Sequence, residues 1–383
     1  MLKEDVDSLL SSMIESYEGV SDIFFVVGKP PQVEAYGKLK PYPDDSPAAI
    51  LTPNKVEDMA VYLMNGVERL QRDFLNMGAC DCSYGIEGFA RFRVNIFRQN
   101  GHHAIVMRKL NSVIPTIDKL NLQPIFREMI KEKTGIIFVT GATGSGKTTT
   151  LAAMLNELNQ QNEIHIVTLE DPIEFMHPHA KATFSQRELG RDFPEFSAGL
   201  RSALRQAPKV ILVGEIRDRE TMEIALTAAE TGHVVFSTLH TINAGQTINR
   251  ILGFFGKDEE QLVRERLVDT LRFVVSQRLI PKIGGGRLMI NEIMGSSLRT
   301  RETLLLGEAE GRTYSDIIEA SSTYGWRTFD MSLVDAYARE IITEETAMVF
   351  STSKSKVRHG IDHAKKIGGR EDAEPAVKLK LSA

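Results

Sequence analysis

The segment Gly141-Ala142-Thr143-Gly144-Ser145-Gly146-Lys147-Thr148 follows the pattern G-x-x-x-x-G-K-[ST]. Each part of that pattern has a task in binding a nucleoside triphosphate. Glycines let the backbone curl around a phosphate and turn its N–H groups inward. A helix beginning at the loop adds its positive end. Lys147 neutralises charge on the β- and γ-phosphates, and the Thr148 hydroxyl is placed to ligate Mg²⁺, with Thr149 next on the same first turn. The context fits. An apolar run, Ile136 to Thr140, precedes the loop, and a helical pattern from Lys147 to about Leu158 follows it.

Such a loop needs acidic partners on nearby strands. The run Val210-Ile211-Leu212-Val213 ends in Gly214-Glu215, which places Glu215 to orient or deprotonate an attacking water. A second acidic group, Glu170-Asp171-Pro172-Ile173-Glu174, ends the strand 165–169. Carboxylates at the carboxyl ends of parallel strands face the ligand crevice. Glu170 is therefore a candidate to assist catalysis and to hold Mg²⁺, directly or through water; Glu174 is a weaker candidate. Ser237-Thr238-Leu239-His240 ends the next strand and brings His240 to the same crevice, whereas His233 lies in the turn before that strand. Arg91 and Arg93 sit two apart on an alternating strand and so share one face, as two cations that clamp a phosphate would.

The elements that position these residues read as two domains. Residues 1–110 hold a helix at about 2–17, short strands at 23–27 and 32–36, a helix at about 54–76, and alternating strands at 81–84, 89–98 and 104–109. This is a small α+β domain. A polar stretch at 111–123 reads as a linker. From 124 to 352 strands and helices alternate, predicting a mainly parallel sheet covered by helices. Residues 257–279 and 296–350 read as mostly helical. Residues 353–383, rich in charge and poor in large apolar side chains, read as a poorly ordered tail.

Composition excludes some classes. The chain has 383 residues, is 42% hydrophobic and 25% charged, and carries a net charge of −5. That charge argues against bulk binding of nucleic acid. Its two cysteines, Cys80 and Cys82, cannot complete a four-ligand zinc site and read as packed thiols of a reducing cytosol. No apolar run reaches 18 residues and the first 11 residues lack a signal-peptide core, so contact with a membrane is expected only through partners.

Taken with Ser21-Asp22-Ile23, Pro30-Pro31, Ala90-Arg91-Phe92-Arg93-Val94-Asn95, Ile216-Arg217-Asp218 and Thr231-Gly232-His233, these motifs resemble the type II/IV secretion ATPase superfamily, and within it the pilus-retraction branch (the PilT/PilU family). The resemblance covers about residues 1–350. It implies an α/β chain with a RecA-like P-loop ATPase domain preceded by a smaller PAS-like α+β domain. It also implies a homo-hexameric ring that hydrolyses ATP with Mg²⁺ to withdraw pilin through an inner-membrane platform protein during twitching motility. Lys147, Thr148, Glu215, Glu170, His240, Arg91 and Arg93 would serve the reaction at the cytoplasmic base of the pilus machine, with a sister motor as a further partner. Three alternatives stand beside it. A pilus-assembly or type II secretion ATPase typically carries a tetracysteine zinc insertion, which two cysteines cannot supply. An accessory motor of the PilU kind fits the same motifs. A nucleic-acid translocase on the same core would need a basic pore.

Overall fold

A computed structural model of the chain describes residues 3–43, 50–110 and 113–367. The amino-terminal elements are α1 (Lys3–Glu15), β1 (Val20–Val26), β2 (Gln32–Ala35), β3 (Lys38–Pro41), α2 (Pro53–Met64), α3 (Glu68–Met77), β4 (Ala79–Ile86), β5 (Ala90–Gln99) and β6 (His102–Leu110). Then come α4 (Ile125–Met129), β7 (Gly135–Thr140), α5 (Lys147–Gln161), β8 (His165–Glu170), β9 (Thr183–Glu188), α6 (Phe196–Ala203), β10 (Val210–Val213), α7 (Arg219–Glu230) and β11 (Val234–Leu239). The rest comprises α8 (Ala244–Leu252), α9 (Glu260–Thr270), β12 (Leu271–Pro281), β13 (Arg287–Gly295), α10 (Leu298–Leu306), α11 (Tyr314–Ala320), α12 (Phe329–Ala338), α13 (Glu344–Phe350) and α14 (Lys354–Ile367).

The chain divides into two compact units. The first comprises Met1–Pro115 and Asn159–Gln206, the second Thr116–Leu158 and Ala207–Ala383. The sequence placed 159–206 with the second domain. That segment instead belongs to the first unit, where β9 meets β4 and β5 through side chains described below.

In the first unit six strands form an antiparallel sheet in the order β3-β2-β1-β6-β5-β4. Alternation along β5 explains its orientation. Ala90, Phe92, Val94 and Ile96 are buried, and Arg91 and Arg93 take the other face. The buried face packs with Val6, Leu10 and Met13 of α1 and Val56, Met59 and Leu63 of α2 in one core. The helix expected over 54–76 is two helices. Asn65 turns left-handed at φ 46° and caps α2, and Gly66 follows at φ 70°. The β8–β9 pair is parallel and in register from His165 with Thr183 to Glu170 with Glu188.

In the second unit β12, β7, β11 and β10 lie side by side and parallel, with β13 antiparallel on β12. Every residue of β7, β10 and β11 is buried, as expected of strands covered on both faces. This is the RecA-like arrangement expected of the P-loop segment. The helical expectation over 257–279 fails at Leu271. The helix α9 runs directly into β12, whose apolar run Leu271 to Val275 pairs with β7 on one side and β13 on the other. Tertiary pairing overrides the helical pattern there. Residues 354–367 are not tail but helix. Val357 and Ile361 of α14 are buried against Phe329, Leu333 and Ala336 of α12. A two-residue apolar stripe in a charged helix gave too weak a signal to read. The remainder of the expected tail, 368–383, lies outside the described residues.

Phe236 of β11 is fully buried. Phe236→Ala should lower the free energy of unfolding by about 3–5 kcal/mol. Leu262→Ala, at a largely exposed position of α9, should stay within about 0.5 kcal/mol. Denaturant titration of both variants checks the assignment of the core.

Candidate active site

The strand β7 delivers the chain into the glycine-rich loop, and α5 starts at Lys147. Gly141 has φ 142°, and a Cβ there would stand 2.5 Å from the Gln277 carbonyl oxygen and 2.6 Å from Ser145 Oγ. Gly144 and Gly146 follow at φ 78° and 93°. The glycines are therefore required by shape. Lys147 is buried, with only 8% of its surface exposed. Its Nζ donates to Gly141 O at 2.8 Å and Ala142 O at 3.2 Å, so the loop's own carbonyls satisfy the ammonium. Ser145 Oγ is buried without a partner. A buried cation and an orphaned hydroxyl both fit a loop built for an anion. The wall behind it is polar and tied together. Thr140 Oγ1 and Ser276 Oγ lie 2.9 Å apart, and Gln277 Nε2 donates to Thr150 Oγ1 at 2.9 Å.

Because β7, β11 and β10 are parallel, their carboxyl ends lie at one edge of the sheet. That edge gathers the P-loop after β7, His240 after β11 and Glu215 after β10. Glu215 is mostly buried, contacts Arg217, and has His240 Nε2 at 3.5 Å. Thr238 Oγ1 donates to Gly214 O at 2.6 Å and fixes the turn that carries Glu215. Asp218 then caps α7 by accepting from Thr221 N at 2.8 Å. His233 precedes β11 and lies at the other edge. Its Nδ1 donates to Ala228 O at 3.0 Å, which makes it a cap of the preceding helix.

The first unit holds the other candidates. Glu170 closes β8 and is buried. It accepts from Thr168 Oγ1 at 2.7 Å and from Gln186 Nε2 at 3.2 Å. Burial raises its carboxyl from the model-compound 4.5 to about 7, with the Glu174 charge adding to the rise and the two hydrogen bonds opposing it. Arg91 is committed within the unit. Its Nη2 lies 3.3 Å from Glu188 Oε2, Ser83 Oγ and Ile173 O. Arg93 is half exposed, with Asp81 Oδ1 at 4.0 Å. Cys80 and Cys82 are free thiols, pushed up to about 11 and about 12, first of all by burial, which makes them poor nucleophiles. The sequence reading missed Gln186, Glu188 and Gln277. Gln186 and Glu188 lie on β9, a stretch to which the sequence gives no element, and Gln277 lies in β12, within the stretch expected to be helical.

The family model described as type II/IV secretion system protein matches residues 85–319. The type IV pilus retraction ATPase PilT of Pseudomonas aeruginosa is 41% identical over 343 residues, covering 90% of this chain and 97% of PilT. The type IV pilus ATPase PilU of the same organism is 35% identical, covering 97% of this chain and 94% of PilU. A solved structure of the pilus retraction motor PilT with bound ADP superposes with a TM-score of 0.82 at 38% identity, covering 94% of this chain and all of that one.

The elevated Glu170 carboxyl has a measurable consequence. Its folded-state value lies above the unfolded 4.5, so the folded chain keeps a proton that the unfolded chain releases. Stability therefore falls as pH rises from about 4.5 to about 7 and is level above that. Glu170→Gln should match the parent at pH 4 and exceed it at pH 8 by a few kcal/mol. Thermal unfolding at the two pH values measures the difference.

Proposed function

The chain belongs to the type II/IV secretion system protein family, and we propose that within it the protein is the ring-shaped, ATP-driven motor of type IV pilus retraction. The observation that carries this reading is the near end-to-end match to PilT in both sequence and structure, with an intact P-loop and Glu215. The protein is an ATP-hydrolysing enzyme. Retraction, the six-membered ring, the membrane platform partner and the sister motor are the parts proposed here. Among the described residues no helix is long and apolar enough to cross a membrane.

The chemistry follows from the geometry of the second unit. The N–H groups of residues 141–149 cradle the β- and γ-phosphates at the start of α5. Lys147, whose Nζ donates to the Gly141 and Ala142 carbonyls, neutralises charge on the β- and γ-phosphates. Among the described residues no group of three His, Cys, Asp or Glu is gathered to cage a metal. Thr148 would hold Mg²⁺, which when bound would supply neutralisation of the developing charge. Glu215 orients a water and accepts its proton as the oxygen attacks the γ-phosphorus. The bond from γ-phosphorus to the bridging oxygen breaks, and ADP and inorganic phosphate leave. His240, beside Glu215, is placed to hold that water or the departing phosphate. Glu170, Arg91 and Arg93 are further proposed to take part in turnover. The accessory role of a PilU-like motor is the second reading, favoured by a match that spans 97% of this chain.

Glu215→Gln should leave ATP binding within about threefold while lowering turnover by about 10²–10⁴. Lys147→Ala should lose binding itself. Fluorescent-nucleotide titration with steady-state phosphate release separates the two. Unchanged turnover in Glu215→Gln would remove Glu215 from the role of base.

A further inference from the structure

The stretch from Glu170 to His177 carries the acidic cluster and has little regular structure of its own. Its geometry is set by β9. Gln186 and Glu188 are two apart on that strand and so project from one face. The Gln186 amide makes three contacts with the loop. Nε2 donates to Glu170 Oε1 at 3.2 Å and to Phe175 O at 2.8 Å, while Oε1 accepts from His177 N at 2.7 Å. Glu188 is buried and accepts from Ile173 N at 3.1 Å. Leu189 N also donates to Glu170 O at 2.8 Å.

Glu188 is also the joint to the antiparallel sheet. It accepts from Ser83 Oγ of β4 at 2.7 and 2.9 Å and from Arg91 Nη2 of β5 at 3.3 Å. Arg91 Nη2 in turn reaches Ile173 O at 3.3 Å. The N–H of Ile173 is thus held by Glu188 and its carbonyl by Arg91, and the two side chains are paired with each other. A buried carboxylate that lost these donors would be costly to keep, so the arrangement is held as a unit.

We propose that Gln186 and Glu188 are positioning residues for ATP hydrolysis, which clamp the Glu170–His177 loop and tie it through Arg91 and Ser83 to the sheet of the first unit. Arg91 then serves the reaction through this loop, by holding Ile173. The proposal rests on the reading that Glu170 takes part in turnover. It goes beyond that reading in naming what holds Glu170 in place.

The test compares full-length Gln186→Ala, Glu188→Ala and the isosteric Glu188→Gln with Glu170→Gln, each checked for melting temperature and for the fraction of sites that bind ATP. Per binding-competent site, Gln186→Ala and Glu188→Ala should lose turnover by about 10²-fold with KM for ATP within about threefold. Glu188→Gln keeps an acceptor for Ile173 N and should lose less. Adding Gln186→Ala to Glu170→Gln should cost little more than Glu170→Gln alone, because both act on one carboxylate. If Glu170→Gln is impaired while the β9 variants turn over normally, the clamp is wrong and the role of Glu170 stands. If Glu170→Gln is itself fully active, the role of Glu170 fails and the proposal falls with it. Additive losses in the double variant would also overturn the clamp.

Discussion

The molecule is organised by the need to hold a buried ammonium beside a phosphate. Lys147 is nearly inaccessible to solvent, and a buried cation without acceptors would cost several kcal/mol. The Gly141 and Ala142 carbonyls help to meet that need. They can do so only because the loop turns back on itself at Gly141, where a side chain would strike the Gln277 carbonyl. The strand β12 thus sets the shape of the phosphate cradle from behind. Its polar residues Ser276 and Gln277 are buried, each paired with a residue next to the loop. These polar atoms are placed where the loop needs them, and the apolar strands β7, β11 and β10 supply the rigidity around them.

The two carboxylates of interest meet different environments, and their chemistry diverges accordingly. Glu215 sits beside Arg217 and His240 at the open edge of a parallel sheet. Glu170 is enclosed among Thr168, Gln186 and the Glu174 charge, and its carboxyl titrates near neutrality. The first unit carries a titratable acid on a loop whose backbone is gripped by side chains from β4, β5 and β9.

Much of the site was legible in the sequence, because backbone demands leave local signatures. The glycines of 141–146, Lys147 and the strand before them form one contiguous pattern. Glu215 and His240 could be placed at strand ends because an apolar run followed by a polar residue marks the carboxyl end of a buried strand. Arg91 and Arg93 were placed on one face by alternation alone. What could not be read was pairing at a distance. Arg91 looked like a cation free to meet phosphate, and only the fold shows it bound to Glu188, 97 positions along the chain. The strands β9, β12 and β13 were missed for a related reason. In β9 the sequence Thr183 to Glu188 is polar, and in β12 the apolar run follows a helix without a break. The helix α14 hid in a charged segment because two buried residues, Val357 and Ile361, suffice to dock it.

The central claim is that this ATPase withdraws pili. The measurement that addresses it most directly is a count of surface pili by electron microscopy in cells lacking the protein, with the intact gene restored as control. The account predicts an excess of pili that fail to shorten, reversed by restoration. Bald cells would contradict it, because they would place the motor on the side of assembly.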